Sequence, residues 1–193
     1  MKVVCIGDSL TYGYGVNRKE SWIYLVENKY DVEIFNKGMN GDTTEGMILR
    51  FQRDVIENKS SYVMIMGGSN DLIMGIPLQI IQSNIDKMVN LAYENNINPI
   101  IGIQPFTEPK MANMYWSSTT DFNRVNENIE KYKEWAIQFE KTDHIRVIDF
   151  CSELNIHVTE ENKHLFYIDG VHLTSKGHKI MANIEKLKAI FEN

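Results

Sequence analysis

The sequence predicts a three-layer α/β/α sandwich, flavodoxin-like, with a five-stranded parallel sheet, in a single domain spanning residues 1–193. Two observations predict it. Five short runs are apolar throughout: Val3–Ile6, Val32–Phe35, Tyr62–Met66, Ile100–Ile103 and Ile145–Ile148. Segments between and after them place apolar residues three and four apart. Strands without polar alternation are covered on both faces, and a helix after each strand is the parallel crossover.

The helical segments follow in order. Glu20–Glu27 is a weak one, and Ile48, Phe51 and Val55 mark a short one. Ile81, Ile85, Met88 and Ala92 form one stripe; Phe122, Val125, Ile129, Tyr132, Ala136 and Phe139 form a longer one. Ile180, Ile184, Leu187 and Phe191 predict one last helix, opened by Thr174 as N-cap. Residues 105–121, "PFTEPKMANMYWSSTTD", have no clean period. They read as a long loop, and a loop of this length in a compact domain is commonly functional. A substrate-facing lid is expected there, with Phe106, Met114, Tyr115 and Trp116 as substrate contacts.

With a net charge of −6 the chain lacks the broad basic surface that nucleic acid requires, so no nucleic-acid partner is expected. Hydrophobic content of 43% and charged content of 24% are those of a globular protein. No apolar stretch approaches the ~20 residues of a membrane span, so no stable membrane insertion is expected. The start has no basic-then-apolar leader, which gives a cytoplasmic expectation. Cys5 and Cys151 are too few for a disulfide framework or a zinc site and read as buried free thiols. Neither H-E-x-x-H nor clustered Cys/His spacing occurs, so no metal and no cofactor are expected. Nothing in the pattern speaks to oligomeric state.

In an open parallel sheet, ligands bind beyond the carboxyl ends of the strands. There the sequence places Gly7-Asp8-Ser9, "NKGMNGDTT" (36–44), "GGSND" (67–71) and, after an excursion, "DGVHLTSKGH" (169–178). A serine hydroxyl becomes a nucleophile when a base takes its proton, and histidine titrates in the right range. Asp169 and His172, three apart, fall on one side of a turn, where the carboxylate fixes the imidazole. The other histidines lack this arrangement: Asp143-His144 are adjacent, His157 and His164 sit in a polar segment, and His178 reads as packing or surface. An acyl-transfer oxyanion needs fixed donors, available from the Gly41 and Ser9 backbone N–H groups and the Asn70 side-chain amide. Each residue also has a plainer reading. Gly41 is then a turn glycine, Asn70 an Asx turn, Asp169/His172 a surface ion pair, and Ser9 a helix cap.

Four blocks occur together: "GDSLTYG" (7–13), the glycine of "NGDT" (40–43), "GSND" (68–71) and "DGVH" (169–172). In order and spacing they resemble the SGNH, or GDSL, hydrolases over essentially the whole chain. The resemblance implies Ser9 as nucleophile, His172 as base and acid, and Asp169 as its orienting carboxylate. It implies an oxyanion hole from Ser9, Gly41 and Asn70, and a small-molecule ester as partner. Asp8 belongs to the first block with a turn-shaping role, and it and Val171 join the candidate substrate contacts. The implied activity is ester or thioester hydrolysis through an acyl-Ser9 intermediate, on a lysophospholipid, an acyl-thioester or a small aryl or acetyl ester. The alternatives are an acetyl-sugar deacetylase and a catalytically silent flavodoxin-like binding module. A G-x-S-x-G elbow is absent, which argues against the α/β-hydrolases. "GYGVNR" (13–18) lacks the third glycine of a dinucleotide loop.

Overall fold

The computed structural model describes residues 1–142 and 145–192; Asp143 and His144, the adjacent pair noted above, lie outside the described residues. Five strands build the sheet: β1 (Lys2–Gly7), β2 (Glu33–Gly38), β3 (Tyr62–Met66), β4 (Asn98–Ile103) and β5 (Arg146–Asp149). Their order is β2-β1-β3-β4-β5 and every pairing is parallel. This is the doubly wound order in which the chain reverses direction across the sheet between β1 and β3.

Alternate residues of each strand feed two cores. Val4, Ile6, Val63, Ile65, Ile101 and Ile103 meet α3 (Thr44–Phe51), α5 (Leu78–Glu94) and α7 (Phe122–Thr142). Val3, Cys5, Met64, Met66, Ile100 and Ile148 meet α1 (Ser9–Tyr12), α2 (Trp22–Tyr30), α8 (Phe150–Asn155), α9 (Ser175–Ala182) and α10 (Glu185–Phe191). Two shorter helices, α4 (Ser69–Ile73) and α6 (Pro109–Tyr115), stand at the carboxyl edge. Both cysteines are free and buried, as expected. No helix among the described residues is long and apolar enough to cross a membrane.

Four elements differ from expectation, each for a local reason. β2 runs on through Asn36-Lys37-Gly38, because an outermost strand needs only one covered side. The weak helix begins at Trp22, capped by the Ser21 hydroxyl, while Glu20 closes a separate 3₁₀ turn with Asn17. After Phe51 the chain widens into a π turn, Gln52–Ile56, which still buries Val55 fully. The last helix is two. Asn183 stops α9 by donating its backbone N–H to Ile180 O (3.0 Å) and its amide to Lys179 O (2.8 Å), and extended Ile184 restarts the chain as α10. Thr174 does cap α9.

His178, on α9, is buried and joins the helical layer to α2: its Nδ1 accepts the Trp22 backbone N–H at 3.3 Å. Burial, reinforced by the neighbouring His172 and opposed by Glu20, pushes His178 down to about 4. A depressed histidine stabilises the fold fully above its unfolded value and loses that contribution as pH falls through the folded one. The expected outcome is a difference: relative to His178→Gln, the parent loses unfolding free energy between pH 6.5 and about 4, read from urea titrations of both proteins across the range.

Candidate active site

Ser9 stands at the sheet's carboxyl edge because Asp8, not Ser9, caps the helix that follows β1. Asp8 Oδ1 accepts the Leu10 N–H at 2.9 Å, which leaves Ser9 as the first residue of α1 with its hydroxyl uncommitted to the helix. The Ser9 N–H is likewise the first amide of that helix and has no acceptor within it. Across the sheet edge, His172 Nε2 lies 2.9 Å from Ser9 Oγ, and His172 Nδ1 lies 2.7 Å from Asp169 Oδ2. His172 and Ser9 are both buried. The sequence separates them by 163 residues; the fold places them in one hydrogen-bonded chain.

The turn carrying Asp169 and His172 is built to point both inward. Asp169 Oδ1 accepts the backbone N–H groups of Val171 (2.9 Å) and His172 (2.8 Å). Gly170 sits at φ +88°, and a Cβ there would collide with the backbone of Glu108 and Ala112, so only glycine passes. Burial by itself would raise the Asp169 carboxyl. Hydrogen bonds from the His172 ring, the Trp116 indole and the two backbone amides outweigh it and hold the group well below the usual carboxylate range. The carboxylate therefore stays charged opposite the imidazole across the whole working range of pH.

The second side of the site is the turn after β2 and the start of α4. Gly41 takes φ +75°, and the turn closes through the Asp42 N–H onto Met39 O (3.2 Å), which leaves the Gly41 N–H outside that bond. Asn70 donates its side-chain amide to Asp42 O at 2.9 Å, so it is tied to the neighbouring turn and not to its own backbone. Two buried groups unforeseen in the sequence fix this arrangement. Arg50 donates to Gly7 O (2.9 Å), Lys37 O (2.8 Å), Asp42 (2.7 Å) and Asp54 (3.0 Å). Asp71 accepts the Thr44 hydroxyl (2.6 Å) and backbone N–H (3.0 Å). The Arg50–Asp54 pair at i,i+4 was the one local signal of the first.

The segment 105–121 is not the irregular loop expected. Glu108 accepts the Met111 N–H at 2.7 Å and Pro109 takes the first helical position, so Pro109–Tyr115 folds as α6. Its tip exposes Met114, Tyr115 and Trp116, of which Trp116 reaches the site, its indole donating to Asp169 Oδ2 at 2.9 Å. The other three expected substrate contacts are placed differently. Phe106 packs against the core and its carbonyl accepts the Tyr167 hydroxyl (2.9 Å). Val171 is buried in the same core, and Asp8 is a buried cap. His157 and His164 are exposed, and His178 is the packing residue described above.

A serine, a histidine and a carboxylate in hydrogen-bonded sequence, with unpaired donors nearby, can carry out acyl transfer. The chain's relatives agree with that class. The GDSL-like Lipase/Acylhydrolase family matches residues 5–180, and the chain belongs to it. An arylesterase of Vibrio mimicus is 29% identical over 60% of this chain and 62% of its own length. The esterase TesA of Pseudomonas aeruginosa is 27% identical over 53% of this chain and 54% of its own. The chain thus spans between half and two thirds of these curated relatives. The structure of a G-D-S-L-family protein from Desulfitobacterium hafniense DCB-2 superimposes with a TM-score of 0.77 at 29% identity, covering 94% of this chain and 95% of that one.

Asp8 has a measurable cost. Burial pushes its carboxyl up to about 6, aided by Asp71 and Asp42 and opposed by the Leu10 N–H and His172. A carboxyl raised on folding stabilises below its unfolded value and loses that contribution as pH rises through the folded one. Asp8→Asn keeps a capping oxygen and removes the charge. Its stability relative to the parent is expected to be unchanged at pH 3 and to rise between pH 4 and about 6, by at most about 3 kcal/mol. Urea unfolding at fixed pH values checks it.

Proposed function

We propose that the chain hydrolyses carboxylic esters or thioesters through an acyl-Ser9 intermediate. The observation that carries this reading is the unbroken relay Ser9 Oγ–His172 Nε2 (2.9 Å) and His172 Nδ1–Asp169 Oδ2 (2.7 Å). In its neutral tautomer His172 donates Nδ1–H to Asp169 and accepts the Ser9 proton at Nε2 as Oγ attacks the acyl carbon. The carbonyl oxygen, now negative, receives the N–H groups of Ser9, Gly41 and Asn70. Collapse returns the proton from His172 to the leaving alcohol or thiol. A water then repeats the sequence on the acyl-serine, and the acid departs from free Ser9 Oγ.

The substrate class we favour is a small aryl or acyl ester. The arylesterase and esterase relatives support this class. The exposed rings of Tyr14, Tyr115 and Trp116 support a second reading, an acetylated sugar stacked on an aromatic face.

Ser9→Ala is expected to abolish both p-nitrophenyl acetate turnover and labelling by a fluorophosphonate, with an unchanged thermal midpoint; retained turnover overturns the assignment. Asn70→Ala is expected to lower kcat about a hundredfold. The pH profile of kcat/KM is expected to show an acidic limb that rises with pH, because only the unprotonated imidazole accepts the serine proton, while Asp169 stays ionised throughout. A panel of acyl lengths and acetylated sugars separates the two substrate classes.

A further inference from the structure

Asp169 Oδ2 has two partners. One is His172 Nδ1; the other is the indole N–H of Trp116, which donates to the same oxygen at 2.9 Å. With the two backbone amides on Oδ1, the carboxylate accepts four hydrogen bonds, its full capacity. The indole also lies against the imidazole, with ring centroids 5.3 Å apart, and Tyr14 approaches the same imidazole at 4.3 Å.

This contact is held by construction. The Glu108 N–H donates to Gly170 O at 2.7 Å, so α6 rests directly on the turn that carries Asp169 and His172. Glu108 is buried and paired with Lys163 at 2.7 Å, which fastens the root of the segment. Beyond the helix, the Asn113 amide donates to Ser117 O (2.9 Å) and Thr120 O (2.8 Å), bracing the chain on the far side of Trp116. The indole is thereby carried to the carboxylate by an element fixed at both ends, although Trp116 itself remains 42% exposed.

We infer that Trp116 is a positioning residue for the proposed reaction: its N–H holds Asp169 Oδ2 in place and shares the carboxylate charge that His172 faces. The inference rests on the Ser9–His172–Asp169 reading above. It gives the 105–121 segment a role in the chemistry itself, beyond contact with substrate. Without the indole N–H, more negative charge on Oδ2 faces the imidazole, which favours its protonated form. The other titratable and charged groups facing His172 are Asp8 from the turn after β1, His178 on α9 and the Tyr14 phenol.

Trp116→Phe retains a ring against His172 and removes the donor. On p-nitrophenyl acetate, the acidic limb of kcat/KM is expected to move to higher pH by about half a unit. Plateau kcat is expected to fall about three- to tenfold, with KM little changed. A protonated imidazole in contact quenches indole emission. The fluorescence difference between the parent and Trp116→Phe is therefore expected to titrate with the same midpoint as the parent's acidic limb. An unmoved limb, a rise in KM alone, or a difference emission flat across the parent's acidic limb overturns the inference. Absence of fluorophosphonate label on Ser9 in the parent overturns the hydrolase reading instead, and the fluorescence titration then still decides whether the indole senses His172.

Discussion

One guanidinium holds the carboxyl edge of the sheet together. Arg50 reaches backward from α3 to the last carbonyl of β1 at Gly7, to Lys37 near the end of β2, and to Asp42 in the following turn. The first two are already neighbours through the β1–β2 ladder; Arg50 ties the turn at Asp42 to them. The cation is buried together with Asp42 and Asp54, and a buried charge is tolerable only when its partners are well placed. The Arg53 guanidinium and, against a burial penalty, Arg50 keep Asp54 down at about 2, so the pair remains ionised wherever the chain is folded under ordinary conditions. The position of Gly41 relative to Ser9, on which the proposed oxyanion hole depends, follows from this clamp. Asn70 is then set by the same turn, through Asp42 O, and by Asp71 gripping Thr44.

The opposite wall of the site uses a different device. His172 is not on a strand end but on a turn that returns from the far side of the sheet, and its rigidity comes from close backbone approach. Gly170 allows α6 to lie against the turn, and the Glu108–Lys163 pair and the Tyr167 hydroxyl on Phe106 O tie the base of α6 to the same excursion. Charge organises one wall and steric fit the other. The Ser9 hydroxyl lies between two independently fixed walls, an arrangement that needs little reorganisation if charge develops beside it.

Much of this was legible in the sequence. Strands covered on both faces have to be apolar at every position, so Val3–Ile6 and Tyr62–Met66 announce themselves without alternation. The candidate site residues were legible as a group because each lies just beyond a strand or on one short turn, and Asp169 and His172 lie within a turn's reach of each other. Arg50 was not, since its four partners are scattered over nearly fifty residues and a lone arginine on a helix reads as solvent-facing. The helix at Pro109–Tyr115 was obscured because only Ala112 is buried outright; its amphipathic signature is too narrow to register, and its start is written in a Glu-Pro cap. The break at Asn183 was missed because Ile180, Ile184, Leu187 and Phe191 keep helical spacing across it, and local capping bonds overrode the period.

The outermost strand β2 carries one further consequence. Asn36 and Lys37 lie at the rim with side chains partly in water, and Glu33 begins the strand with another charge. A free strand edge presents unpaired peptide groups that invite another chain to extend the sheet. Here any such guest would have to strand Lys37 and Glu33 without water, and Asn36 already spends its amide on Thr11 O and its carbonyl on the Gly38 N–H. Charged Glu33 and Lys37 on this border thus disfavour the addition of a further strand.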